Sequence, residues 1–255
     1  MTESIIVEHA CKRFTMQYHR TLKQMTIAAV RRQQLSETFL AVDDVSFTVQ
    51  QGEAIGLMGL NGSGKSTLLK LISGVMRPDV GKVMTRGRIA GLIAAGAGFH
   101  PQLTGRDNLY LNAAILGMSE AETKRKFDQI IEFADVGKFL DTPVGHYSSG
   151  MSARLGFAVA AFAESDIFLA DEVLAVGDQP FKKKCIKRMQ EIKDEGRTIF
   201  YVSHSPGSVR KMCDRAIVLE NGALGFDGPV DDGIQYLKYD ASDTRPEDDE
   251  LGADI

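Results

Sequence analysis

Apolar and polar residues alternate along Val42-Asp43-Asp44-Val45-Ser46-Phe47-Thr48-Val49, the pattern of a strand with one buried face. A shorter strand is expected over residues 4–8. Gln51-Gly52 then turns the chain into Ala54–Met58, a short apolar run of strand character. Leu68, Leu69, Leu71 and Ile72 follow at helical spacing. Pro78, Gly81, Gly87 and Gly91 punctuate short strand-like pieces, and from about residue 105 to 160 the period becomes helical. Leu109, Ala113 and Leu116 mark one helix of that stretch, and Phe127, Ile130, Ile131 and Ala134 another. Strand character returns at Ile167–Ala170, Thr198–Val202 and 216–219, with helical stretches between. Strands alternating with helices predict an α/β fold with a doubly wound, mostly parallel sheet and an inserted helical lobe.

Composition adds little to this picture, but the placement of charge adds a good deal. The 255 residues are 44% hydrophobic and 25% charged, the make-up of an ordinary globular protein. The longest apolar runs, 89–99 and 155–163, are too short to span a bilayer. The first residues lack the cationic and apolar character of a secretory leader, so the expected location is cytoplasmic. Cys11, Cys185 and Cys213 have no metal or redox spacing and are expected to be small buried apolar residues; the five histidines form no ligand pattern.

From His9 to Ser36 there is no acid, while Lys12, Arg13, Arg20, Lys23, Arg31 and Arg32 are basic. Tyr18, Leu22, Met25 and Ala29 recur there at helical spacing. They predict a basic amphipathic helix that either meets a membrane surface or partner, or packs on its own domain with a solvated face. Seven of the 34 acids and one of the 30 basic residues fall in 240–255, so a net charge of −4 hides a nearly neutral body and an acidic tail, expected to be disordered. No nucleic-acid partner is expected from such a body.

Gly59, Leu60, Asn61, Gly62, Ser63, Gly64, Lys65, Ser66 and Thr67 match G-x-x-x-x-G-K-[ST] at every fixed position, between a strand and a helix. The glycines let the backbone curl so that successive N–H groups face phosphate oxygens at a helix N-terminus. Lys65 is placed to reach β- and γ-phosphates, and the Ser66 hydroxyl to ligate Mg²⁺. Ile167–Ala170 ends in Asp171-Glu172, where Asp171 can hold Mg²⁺ and Glu172 can orient an attacking water. Tyr147-Ser148-Ser149-Gly150-Met151, with Arg154 three residues on, precedes this strand, and Val202-Ser203-His204 ends a later one.

These elements, in this order from about residue 4 to 237, resemble the nucleotide-binding subunit of an ATP-binding cassette transporter. The resemblance implies a phosphate-loop NTPase core with a mostly parallel sheet, an N-terminal antiparallel β portion and an inserted helical subdomain. It implies one cassette over 1–239, with core segments at about 1–93 and 160–239 and the helical subdomain at about 94–159. It also implies ATP and Mg²⁺ as ligands, Glu172 as general base, His204 as γ-phosphate sensor and Phe14 as the adenine-stacking aromatic. It further implies that Ser148, Ser149, Gly150 and Met151 form the signature that completes the site of a second copy, and that Asp178 lies in a loop at that dimer interface.

Two departures carry information. The signature reads Tyr-Ser-Ser-Gly-Met instead of Leu-Ser-Gly-Gly-Gln, and the place of the usual coupling Gln reads Leu92-Ile93-Ala94-Ala95-Gly96-Ala97-Gly98-Phe99. Together with the segments 96–108 and 171–178 and the basic insertion at about 15–38, they resemble the branch that exports lipid-linked polysaccharides such as O-antigen, teichoic acid and cell-wall galactan. The branch implies a membrane-spanning permease as partner, a homodimer in a 2+2 complex, and a place on the cytoplasmic face of a bacterial membrane.

Overall fold

The computed structural model describes residues 2–17, 36–91, 98–171, 178–203 and 205–237. Two sheets organise it. One is antiparallel, in the order β2 (Ser36–Gln50), β1 (Glu3–Gln17), β4 (Val80–Thr85). The other has six strands in the order β5 (Ile89–Gly91), β6 (Ile167–Ala170), β7 (Thr198–Val202), β3 (Ala54–Met58), β8 (Arg215–Glu220), β9 (Ala223–Pro229). All its pairings are parallel except β8 with β9.

Period-two alternation divides the core into two layers. On β3, Ile55 and Leu57 face the antiparallel sheet, while Ala54 and Met58 face the opposite helical layer. Strands β6, β7 and β8 split in the same way, with Leu169, Phe200 and Ile217 on the first side and Phe168, Tyr201 and Val218 on the second. Helix α1 (Lys65–Ile72) lies between the two sheets and buries Leu68, Leu69, Leu71 and Ile72 there. The helical layer is built from α2 (Gly105–Ile115), α3 (Glu120–Ala134), α4 (Ser149–Phe162), α5 (Gln179–Asp194), α6 (Pro206–Met212) and α7 (Val230–Tyr236). Ser and Thr side chains start several of these helices by accepting a backbone N–H. Thr104 and Asp107 form a reciprocal capping box on α2, and Ser119 caps α3.

Three local outcomes differ from the sequence pattern. The strands expected at 4–8 and 42–49 are each 15 residues long, because the ladder continues through Phe14↔Phe39, Thr15↔Thr38 and Gln17↔Ser36. Residues 37–40 are all exposed, so this part of the hairpin has no buried face to impose alternation. The strand expected at 216–219 is β8, but its hairpin partner β9 was not expected. Its turn, Asn221-Gly222, has positive φ at both residues, as a two-residue hairpin loop requires. Finally, Cys185 and Cys213 are buried as expected, whereas Cys11 is only partly so. Tyr18, Leu22, Met25 and Ala29, the segment 92–97 and the acidic tail lie outside the described residues.

Candidate nucleotide site

The loop 59–67 sits at the C-terminal end of β3, between the tips of β7 and β8. Gly59, Gly62 and Gly64 all have positive φ, at 141°, 83° and 102°. Sterics also demand the last of these glycines, since a Cβ on Gly64 would stand 2.1 Å from the Ala41 carbonyl oxygen of β2. Gly222, in the β8–β9 turn, donates its N–H to Ser63 O at 3.1 Å, and Asp43 N donates to Gly222 O at 2.8 Å. The loop is thus clamped between β2 and a hairpin turn. The sequence pattern does not show that clamp: the Asn-Gly pair signals a hairpin turn but not its contact with the loop.

Lys65 is buried and donates from Nζ to the carbonyls of Gly59 at 2.8 Å and Leu60 at 2.9 Å, folding back across the loop. The first turn of α1 carries no acid, so its N–H groups and Lys65 together favour an anion at this end of the helix. The buried Ser63 Oγ has no hydrogen-bond partner among the described residues. A cavity of about 360 Å³ opens here, lined by Phe39, Ala41, Asn61, Gly62, Gly64, Lys65, Ser66, Thr67, Asp171 and Val202. The sheet order brings Asp171, at the tip of β6, to the same edge as the loop although more than 100 residues separate them in sequence.

These residues fit a Mg²⁺–nucleoside triphosphate. The amides, Lys65 and the orphan Ser63 hydroxyl suit phosphate oxygens. One hydroxyl, Ser66, and one carboxylate, Asp171, suit a Mg²⁺ that keeps water and substrate oxygens in its shell. Glu172 and His204 lie outside the described residues. Their neighbours Asp171 and Ser203 follow the tips of the adjacent strands β6 and β7.

The segment 147–151 stands apart. Ser148 opens α4, its Oγ accepting Met151 N–H at 3.1 Å, and Ser148 and Ser149 are exposed. Gly150 and Met151 are half-buried, and Met151 packs against the helical core. None of these four residues lines the cavity at the loop. Asp178 opens α5 without capping it by its side chain and pairs instead with Arg154 of α4. Phe14 is partly buried and stacks on Phe39, with ring centroids 5.7 Å apart.

Comparison with known proteins agrees with this geometry. The O-antigen export system ATP-binding protein RfbB of Klebsiella pneumoniae is 45% identical over 234 residues, covering 90% of this chain and 95% of the relative. The teichoic acids export ATP-binding protein TagH of Bacillus cereus is 46% identical over 204 residues, 80% of this chain and 37% of that protein. Among solved structures, a dimeric ATP-binding cassette in a post-hydrolysis state bound to ADP and Pi superposes with a TM-score of 0.71 at 21% identity, over 89% of this chain and 98% of that one. Residues 42–175 match the family described as ABC transporter, and the chain belongs to that family.

Proposed function

We propose that this chain is the ATP-hydrolysing subunit of an exporter that moves a lipid-linked polysaccharide out through a separate membrane-spanning permease. It works as a pair of copies on the cytoplasmic face of the membrane, in a 2+2 complex. The observation that carries the reading is the division of the site. The cavity at the loop collects Lys65, Ser66 and Asp171, whereas the exposed N-terminus of α4 with Ser148 contributes nothing to its lining. An anion-seeking helix end without an acid in its first turn is then free to meet the γ-phosphate held by a second copy.

Within each site Lys65 and the loop amides hold the β- and γ-phosphates, while Ser66 and Asp171 hold Mg²⁺. When bound, Mg²⁺ neutralises charge that builds on the phosphate oxygens. Glu172 takes the proton of the attacking water, and His204 senses the γ-phosphate. Ser148, Ser149, Gly150 and Met151 of the other copy close the site, with Asp178 beside the junction. Closure favours one arrangement of the paired chains and hydrolysis releases it, which moves the permease. Export of a glycan is supported by the O-antigen and teichoic acid export proteins among the relatives. Choice of glycan rests with the permease, and nucleic acid plays no part.

The test is purification of the tagged chain from membranes. A multi-span membrane protein should copurify, and the complex should hydrolyse ATP. Lys65→Ala should keep the complex and abolish nucleotide binding, because it removes the point charge that meets the β- and γ-phosphates. Near-normal Mg·ATP affinity in that variant, or surface glycan made normally without the chain, would overturn the reading.

A further inference from the structure

Tyr147 immediately precedes Ser148, the residue that caps α4. The local devices that commonly fix a chain's entry into a helix do not operate here. The third residue of α4 is Met151, so no acid or amide side chain reaches back to complete a capping box. The fourth is Ser152, so Tyr147 finds no apolar partner there for a hydrophobic staple.

The ring is anchored on other elements instead. It is half-buried against the helical core, and its hydroxyl donates at 2.7 Å to the carbonyl of Phe139, the last residue of a 3₁₀ turn, Gly137–Phe139. Burial and the Asp141 charge push the phenol up, so it stays a donor. Gly105, the first residue of α2, lies against that hydroxyl: a Cβ there would clash with Tyr147 Oη and stand 3.0 Å from Cζ. The φ of Gly105 is not positive, so its backbone suits other residues, and crowding by the tyrosine and the Leu140 carbonyl is what excludes a side chain. The seat itself is laced to the approach to α4. Gly105 and Arg106 donate their N–H groups to Thr142 O at 3.1 Å and Leu140 O at 2.9 Å, Val144 donates to Leu103 O at 2.9 Å, and Gly145 to Pro101 O at 2.8 Å.

We infer that Tyr147 is a positioning residue for hydrolysis: it sets the direction in which Ser148 and the N-terminus of α4 face the second copy, and Gly105 is the seat its hydroxyl requires. This assignment rests on the division of the site between two copies. A helix end attracts an anion through N–H groups that point along its axis, so the entry angle of the chain decides where they aim. With no local staple, that angle passes to the Tyr147 ring and its hold on Phe139. Neither Tyr147 nor Gly105 lines the cavity at the phosphate loop, so the chain's own nucleotide contacts do not depend on them.

The experiment measures ATP affinity and steady-state ATPase on the full chain carrying Tyr147→Phe, Gly105→Ala or both. Tyr147→Phe removes one hydroxyl and keeps the ring. It should leave ATP affinity and KM within about twofold of the parent and lower kcat about tenfold, because small misplacements are felt in turnover. Gly105→Ala, which pushes the ring off its seat, should do the same. The double variant should be no worse than the poorer single one, since both changes act through the station of one ring. Loss of fold would also lower turnover, so each variant is then mixed with Lys65→Ala chains, whose signature is intact. In the mixed pair the variant's own loop meets that intact signature, and activity should reach that of a parent–Lys65→Ala mixture, whereas a failing fold would stay weak. Values of kcat within about twofold of the parent in both single variants, a raised KM alone, or losses that add fully in the double variant overturn the inference. So does a variant mixture that stays about tenfold below an active parent mixture, an outcome that spares the divided site. A silent parent mixture overturns the divided site and the inference with it.

Discussion

The Arg154 guanidinium meets the Asp178 carboxylate at 2.6 Å, tying the helix that begins at Ser148 to the residue that opens α5. Arg154 also lies 5.0 Å over the Phe181 ring and 3.8 Å from Asp135. Asp178 is 57% exposed, so the pair contributes only ~0.5 kcal/mol to stability. Its consequence is positional. Arg154→Met, which keeps the apolar stem over Phe181, should leave ATP affinity within about twofold and lower kcat on the order of tenfold, since small misplacements cost turnover steeply. Asp178→Asn should lower kcat similarly, and the double variant should be little worse than either. Fully additive losses in that cycle would show that the two residues act separately.

Division of each site between two copies can be tested by mixing inactive chains. Lys65→Ala ruins the loop of one chain, and Ser148→Arg ruins the signature of the other. A mixed pair then contains one doubly damaged interface and one intact one, so partial ATPase activity should return on mixing. No recovery would mean either a site completed within one chain or two sites that fire only together.

The glycines of the loop differ in why they must be glycines. Both Gly62 and Gly64 have positive φ, but a Cβ on Gly62 would meet nothing within 4 Å, while one on Gly64 would strike the Ala41 carbonyl at 2.1 Å. Gly62→Ala should therefore cost ~1 kcal/mol, the price of left-handed backbone alone. Gly64→Ala should cost more than ~2 kcal/mol and displace β2 from the loop. Denaturant midpoints give the comparison, and equal losses would refute the steric account.

What was legible in the chain follows from how local each signal is. The loop 59–67 could be read because its chemistry is contiguous, and β6 and β7 because both their faces are buried and their runs are mostly apolar. Asp171 could be matched to the loop from the general chemistry of phosphate-loop sites, where an acid ending an apolar strand holds Mg²⁺, but the sheet order that joins them is a long-range property no local pattern shows. Phe39 went unread because it sits on a strand segment with neither face buried, where no periodicity marks it. The clamp of Gly222 on Ser63 was hidden for a similar reason: an Asn-Gly turn announces a hairpin without saying what it will touch.

Glu122 anchors α3 to the edge of the central sheet. It is 5% exposed, accepts from Arg88 Nη1 at 2.8 Å through one oxygen and from Glu164 N–H at 2.9 Å through the other. Arg88, just before β5, also donates its own N–H to Asp166 at 2.7 Å. Burial works to raise the Glu122 carboxyl, but the Arg88 pair and the Glu164 amide outweigh it and hold the group below the ordinary Glu value of 4.5. A depressed acid stabilises the fold fully above its unfolded value and loses that contribution as the pH falls through the lower folded one. Glu122→Gln, which leaves one partner without an acceptor, should cost about 2 kcal/mol at neutral pH. Because the parent loses the same charge in acid, the gap in Tm between parent and variant should be widest at pH 7 and narrow steadily below pH 4.5. Other carboxylates titrate in both proteins and cancel in the difference. A gap that stays constant down to pH 3.5 would mean that the Arg88–Glu122 contact holds the helices by shape alone and that its charge is immaterial.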